Sequence, residues 1–163
     1  MLRISRLADY GTQVMTQMAS HPDRLFSTSD LATSLGLGQA TVSKVLKSLA
    51  RHDLVAGVRG LHGGYSLARP PQEITVADVV DALEDQPFGL TECSATSGNC
   101  DIETSCHVRT NWQKISLIVR RALEGVTLAD MVQPEPVERP VVLHRMRGAT
   151  TRPTSTQPTR SAP

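Results

Sequence analysis

Residues 27–55 read STSDLATSLGLGQATVSKVLKSLARHDLV, and this stretch decides the fold. Ser27 with Asp30 three residues later has the form of a capping box, which predicts the start of a helix. Gly36 suits the left-handed residue that ends such a helix. Beyond it, apolar residues recur at the spacing of one helix face, namely Val42, Val45, Leu46 and Leu49. Two short helices joined by a tight glycine turn are typical of a helix-turn-helix.

The other face of the second helix is polar and basic, with Gln39, Thr41, Ser43, Lys44, Lys47 and Arg51. An ordinary helical hairpin with a solvated basic face would show the same pattern. The next residues, LVAGVRGLHGGYSLAR at 54–69, argue against that alternative. They predict two short strands around a glycine-rich tip, with Arg59 at the base of the tip. A hairpin in this position is a wing, so the second helix is predicted to enter a DNA major groove.

Helices are predicted on both sides of this unit. Ser5 caps a helix that ends near His21. Asp9 in its first turn is favourable for the helix dipole, which by itself would account for an acidic residue there. Thr75 with Asp78 starts another capped helix. A long helix over residues 108–123 carries an apolar stripe of Trp112, Ile115, Ile118, Val119 and Ala122. This stripe predicts pairing with a second copy in a homodimer, with packing inside one chain as the alternative.

All three cysteines lie within residues 93–106, CSATSGNCDIETSC, in a polar segment predicted to be an exposed loop. Three thiols in a loop indicate ligands for a soft metal or an iron-sulfur cluster, because thiolate is the ligand that such iron prefers. Three unrelated thiols, or one disulfide with a spare thiol, remain the alternative.

Charge is distributed unevenly along the 163 residues, although the net charge is only +1. Residues 1–69 carry +4, residues 70–132 carry −6 and the remainder carries +3. Residues 1–69 are therefore expected to bind a polyanion. No apolar run reaches membrane-spanning length and the N-terminus lacks a secretion signal, so a cytoplasmic location and no membrane partner are predicted. The five histidines are scattered and no nucleophile-base pair is evident, so no enzyme is predicted.

These patterns predict a mainly α chain with a small β-hairpin wing, in the α+β class: a winged helix-turn-helix with a long C-terminal dimerisation helix. The expected divisions are a DNA-binding domain over 1–72, a cysteine loop with dimerisation helices over 73–132, and a disordered tail over 133–163. The tail is rich in Pro, Arg, Thr and Ser without periodicity.

The chain resembles the winged-helix iron-sulfur regulators typified by IscR and NsrR. The resemblance spans about residues 1–132 and is carried by LRISRLADYG, TVSKVLKSLARHDLV, VRGLHGGYSLARP, ITVADVVDALE and the three-cysteine loop. Within that family, LTEC, GNC, VRTNWQKI and VTLADM are most similar to regulators of the SUF iron-sulfur assembly operon. The implied protein is a repressor of iron-sulfur assembly genes that senses iron-sulfur status.

The resemblance implies that Cys93, Cys100 and Cys106 ligate an iron-sulfur cluster, with 2Fe-2S and 4Fe-4S both open. IscR-like members supply a His three residues after the last Cys, where this chain has Arg109. NsrR-like members use an Asp of the first helix from the partner subunit, and Asp9 occupies that place. Asp9 is therefore the preferred fourth ligand. His107 is its rival, and a Cys3His zinc site using His107 ranks below iron.

For DNA, the resemblance implies base contacts from Thr41, Ser43 and Lys44 and minor-groove insertion by Arg59. Lys47 and Arg51 would contact phosphates. Some members carry an acidic residue where this chain has Ser43, so a different operator is expected. The alternatives are a nitric-oxide-sensing, NsrR-like repressor and, from another class, an iron-sulfur carrier or assembly accessory protein.

Overall fold

The structure is a computed structural model that describes residues 4–60, 63–84, 88–98 and 100–133. Its helices are α1 Arg6–Ala19, α2 Thr28–Leu35, α3 Gln39–Arg51, α4 Val76–Leu83, α5 Glu92–Ala95, α6 Arg109–Glu124 and α7 Leu128–Val132. Its strands are β1 Val55–Val58 and β2 Gly64–Leu67, and a 3-10 turn covers Pro71–Glu73. The mainly helical winged-helix prediction is confirmed. The tail beyond residue 133 lies outside the described residues, so its predicted disorder stays a prediction.

The helix-turn-helix forms at the residues whose capping and turn signals predict it. Ser27 and Asp30 make the reciprocal capping box at the start of α2. Gly36 ends that helix with φ of 64°, in the left-handed region where a side chain would add strain. The chain then enters α3, whose apolar stripe is fully buried. Local capping and helical periodicity therefore set where α2 ends and which face of α3 is buried.

The wing is an antiparallel hairpin in which Val55 pairs with Leu67 and Val58 with Gly64. Phe26, just before α2, extends it through two backbone hydrogen bonds to Tyr65, at 2.9 and 2.8 Å. The wing is consequently fastened to the start of the helix-turn-helix as well as to the end of α3.

An aliphatic core lies between α1, α2, α3 and α4, as the scarcity of aromatic residues predicts. Its fully buried members include Val14, Met15, Leu31, Leu46, Leu49, Ile74, Val79 and Leu128. Gly11 brings α1 close to α4, because a Cβ placed there would lie 1.9 Å from Cδ1 of Leu83. The helix that follows the wing is thus packed directly on the DNA-binding unit.

The long helix α6 packs on α4 and α5 but leaves most of its surface in solvent. Ser116 is its buried residue, whereas Trp112 is 40% and Ile118 57% exposed. The apolar stripe predicted for dimerisation is therefore uncovered in a single chain. The short helix α7, which starts at a capping box of Thr127 and Asp130, returns to pack on α1.

Candidate DNA interface and cysteine segment

Helix α3 presents the predicted DNA-contacting residues on the face opposite its buried stripe. Thr41 and Ser43 are partly exposed, while Lys44, Lys47 and Arg51 are exposed. In the described part of the chain none of these three cations forms an ion pair. Their charge is therefore available to a polyanion.

An open groove of about 790 Å³ runs between this face and the wing. Its lining includes Ser43, Lys44, Lys47 and Arg51 from α3, and Tyr65 from β2. Four of the six predicted DNA contacts thus share one basic groove. Thr41 lies on the same helix, and Arg59 lies exposed at the end of β1, just before the wing tip.

The guanidinium group of Arg51 is bound by a side chain of the preceding turn of α3. Its Nη2 donates to Oγ of Ser48 at 3.2 Å, and the Ser48 hydroxyl donates to the backbone oxygen of Ala82 at 2.7 Å. Ser48 was not among the residues predicted to have a role, because a serine on a helix face gives no sequence signal of a partner 34 residues away.

The first cysteine departs from the predicted exposed loop. Cys93 lies in α5 and is only 7% exposed, so the prediction of a wholly exposed segment is wrong at this position. The physical reason is the packing of α5 on α6, which covers the thiol, and Oγ1 of Thr91 lies 3.4 Å from its Sγ. Cys100 and Cys106 are partly exposed, and all three thiols are free.

The middle of the segment is organised by Glu103, a carboxylate only 7% exposed. It accepts hydrogen bonds from the Gly98 N–H at 2.6 Å and the Ser97 hydroxyl at 3.0 Å, and it pairs with Arg109. The Gly98 hydrogen bond lowers the pKa of Glu103, helped by Ser97 and Arg109 and opposed by burial. Arg109 occupies the position of the His ligand of IscR-like members. Its ion pair with Glu103 therefore joins the start of α6 to the middle of the cysteine segment.

The predicted ligands are not assembled in the single chain. Among residues 4–60, 63–84, 88–98 and 100–133, no three His, Cys, Asp or Glu side chains are grouped so that they could hold a metal ion. Asp9 is exposed in the first turn of α1 and accepts a hydrogen bond from Gln13 at 3.1 Å, and His107 is exposed. The donor set, three free thiols with an exposed carboxylate on α1, fits an iron-sulfur cluster in chemical type.

Comparison with known proteins decides the family. The model of the Rrf2 family, described as iron-dependent transcriptional regulators, matches residues 4–134. The chain belongs to the Rrf2 family. Rrf2 proteins are transcriptional regulators that bind DNA and typically dimerise, so the predictions of a DNA-binding regulator and of a protein that is not an enzyme are confirmed.

Individual relatives agree with this assignment. Protein aau3 of Rhizobium meliloti (strain 1021) is 31% identical over 136 residues, which cover 83% of this chain and 88% of that protein. CymR, the global cysteine regulator of B. subtilis, has a TM-score of 0.66 at 27% identity, covering 83% of this chain and all of that one. T. potens IscR has a TM-score of 0.62 at 30% identity, covering 80% of this chain and 86% of that one. No helix in the described ranges is long and apolar enough to cross a membrane.

Proposed function

We propose that this Rrf2 protein is a cytoplasmic, homodimeric repressor of SUF iron-sulfur assembly genes that senses iron-sulfur status through a cysteine-ligated cluster. The observation that carries the proposal is the placement of all three thiols in the segment that joins α4, which packs on α3, to α6. The family description, the similarity to IscR and the SUF-regulator motifs of the sequence support it.

In this proposal residues 1–72 bind DNA, and residues 73–132 hold the cluster and dimerise. Cys93, Cys100 and Cys106 of one protomer and Asp9 of the partner subunit hold the cluster, with His107 as the rival to Asp9. A carboxylate ligand in place of a fourth thiolate makes such a cluster easier to oxidise or lose, which suits a sensor. The exposed stripe of α6, including Trp112, supplies the dimer contact.

On the operator, the two α3 helices of a dimer would enter successive major grooves at half-sites about 34 Å apart. Thr41, Ser43 and Lys44 read bases, Lys47 and Arg51 bind phosphates, and Arg59 enters the minor groove. Ligation must bring together thiols that are separate in the single chain. The cysteine segment, which precedes α6, therefore rearranges when the cluster is bound. Because α6 packs on α4 and α4 on α3, that rearrangement reaches the DNA-binding surface.

A nitric-oxide sensor is the second candidate, and the exposed Asp9 at the start of α1 favours it because NsrR-like regulators use an Asp in that place. A carrier or assembly accessory protein is less favoured, because a docking module has no need of the basic groove that α3 presents beside the wing.

The test is fluorescence anisotropy with the protein's own SUF promoter DNA under anaerobic, iron-replete conditions. Cys93→Ala, Cys100→Ala and Cys106→Ala should each lose most of the cluster-dependent change in affinity, whereas Ser105→Ala in the same segment should keep it. Wild-type affinity in all three cysteine variants would refute cluster sensing. Cluster-dependent release of a nitric-oxide-detoxification promoter instead of the SUF promoter would select the second candidate.

A further inference from the structure

A chain of polar contacts leads from the first cysteine into α6. Oγ1 of Thr91 lies 3.4 Å from the Cys93 thiol and donates to Oγ of Ser94 at 3.0 Å. The Ser116 hydroxyl, on α6, donates to the same Ser94 oxygen at 3.0 Å and accepts from the Leu90 N–H at 3.1 Å. Ser116 is 5% exposed, so these bonds lie inside the molecule. The helix that carries Cys93 is therefore fixed to α6 by directional bonds.

One helical turn further along, α6 is fixed to α4. Arg120 stands four residues after Ser116, on the same side of the helix. Its guanidinium binds the Asp81 carboxylate through two parallel hydrogen bonds, at 2.8 and 2.6 Å. Such a bidentate pair sets both the distance and the relative orientation of its partners. Glu124 also binds Arg120, at 2.9 Å, but within α6 itself.

The last contact joins α4 to the recognition helix. Ala82, next to Asp81, lies in the last turn of α4, where backbone oxygens lack a partner within the helix. The buried Ser48 hydroxyl supplies that partner at 2.7 Å, and Ser48 in turn receives the hydrogen bond from Arg51. Ser48 therefore links the end of α4 to a side chain that faces the DNA groove.

We propose that these contacts, through Ser94, Ser116, Arg120, Asp81 and Ser48, transmit the state of the cysteine segment to α3. The inference rests on the proposed function and names the residues by which that site is coupled to DNA. Apolar packing between α3, α4 and α6 is non-directional, so it permits small sliding movements. The serine hydrogen bonds and the Arg120–Asp81 pair are directional, so a shift of α6 moves α4 and the end of α3 with it.

The experiment measures operator affinity for the cluster-loaded and the cluster-free full-length protein, and the ratio of the two is the coupling. Asp81→Asn and Ser48→Ala should reduce the ratio to within about two-fold of one, from a wild-type value in the usual range of about 5- to 150-fold. Iron and sulfide content and the visible spectrum should remain those of the wild type. Arg120→Lys, which keeps the charge but not the two parallel bonds, should lower the ratio in the same direction.

Two matched controls separate this role from a general loss of stability. Glu124→Ala removes the Arg120 contact within α6 and leaves the link to α4, so the ratio should not change. Ser34→Ala removes a serine hydrogen bond to the Leu31 oxygen inside α2, and it should likewise keep the wild-type ratio.

Folded Asp81→Asn, Ser48→Ala and Arg120→Lys proteins that all retain the wild-type ratio would overturn the inference while leaving the proposed function intact. A wild-type ratio of one would overturn both. Protection of the α3 amides in hydrogen exchange gives a second readout. Cluster loading should change it in the wild type and not in Asp81→Asn, and an equal change in both proteins would also overturn the inference.

Discussion

Replacing Lys47 with alanine should weaken operator binding mainly by removing a phosphate contact. Lys44, Lys47 and Arg51 lie on one face of α3, and the helical rise places the first and the last about 10 Å apart. Each is exposed, and Lys47 lines the basic groove beside the wing. A dimer on two half-sites presents the three cations twice.

The magnitude follows from counterion release. Lys47 and Arg51 of each protomer are assigned to phosphates, so a dimer makes four such contacts and the slope of log K against log salt is about −3.6, because each contact contributes about −0.9. Lys47→Ala removes one contact from each protomer, which reduces the slope to about −1.8. Between about 50 and about 200 mM salt, the wild type should lose roughly 2 decades of affinity and the variant roughly 1.

The assay is anisotropy titration of labelled operator DNA at several salt concentrations, repeated with scrambled DNA. Lys114→Ala on α6 is the matched control, since it removes the same charge from an exposed site outside the groove. Its slope should equal that of the wild type. An unchanged slope in Lys47→Ala, or an operator preference that falls as much as the affinity, would refute the assignment of Lys47 to phosphate.

Three further predictions concern base reading, packing and pH. Thr41→Ala should cost ~1–3 kcal/mol of operator affinity and reduce the ratio of operator to scrambled binding in the same titration, whereas an unchanged ratio would remove Thr41 from base contact. Gly11→Ala should lower the unfolding temperature, because overpacking against Leu83 costs ~1–3 kcal/mol, more than the ~1 kcal/mol that alanine adds to a helix; an unchanged or higher temperature would contradict the tight α1–α4 contact. The lowered pKa of Glu103 means that its ionised form stabilises the fold above the ordinary carboxyl pKa and that this stability is lost as the pH falls through the lowered value. Thermal unfolding in acid should therefore depend less on pH in Glu103→Gln than in the wild type, and identical profiles would contradict the role of the carboxylate.

The DNA-binding half could be predicted from sequence because its determinants are local. The Ser27 capping box, the left-handed Gly36 and the buried stripe of α3 are encoded within a few residues of one another. The helix-turn-helix fold and the exposed basic face of α3 both follow from that local pattern.

The cysteine segment could be predicted only in part, because its structure depends on tertiary contacts. No periodic pattern in the sequence indicates that Glu103 binds the Gly98 N–H or forms an ion pair with Arg109. The burial of Cys93 follows from packing of α5 on α6, which no local pattern encodes. The contact of Ser48 with Ala82 joins residues far apart in the chain and carries no sequence signal.

The most direct test of the central claim is native mass spectrometry of the anaerobically purified protein, with visible absorption on the same sample. The proposal predicts a dimer that carries iron and sulfide, with a cluster weakened by Asp9→Ala but not by His107→Ala. A protein that holds only zinc, or no metal, after reconstitution with iron and sulfide would contradict it. In that case the chain would be an Rrf2 DNA-binding regulator whose three cysteines have a function other than cluster binding.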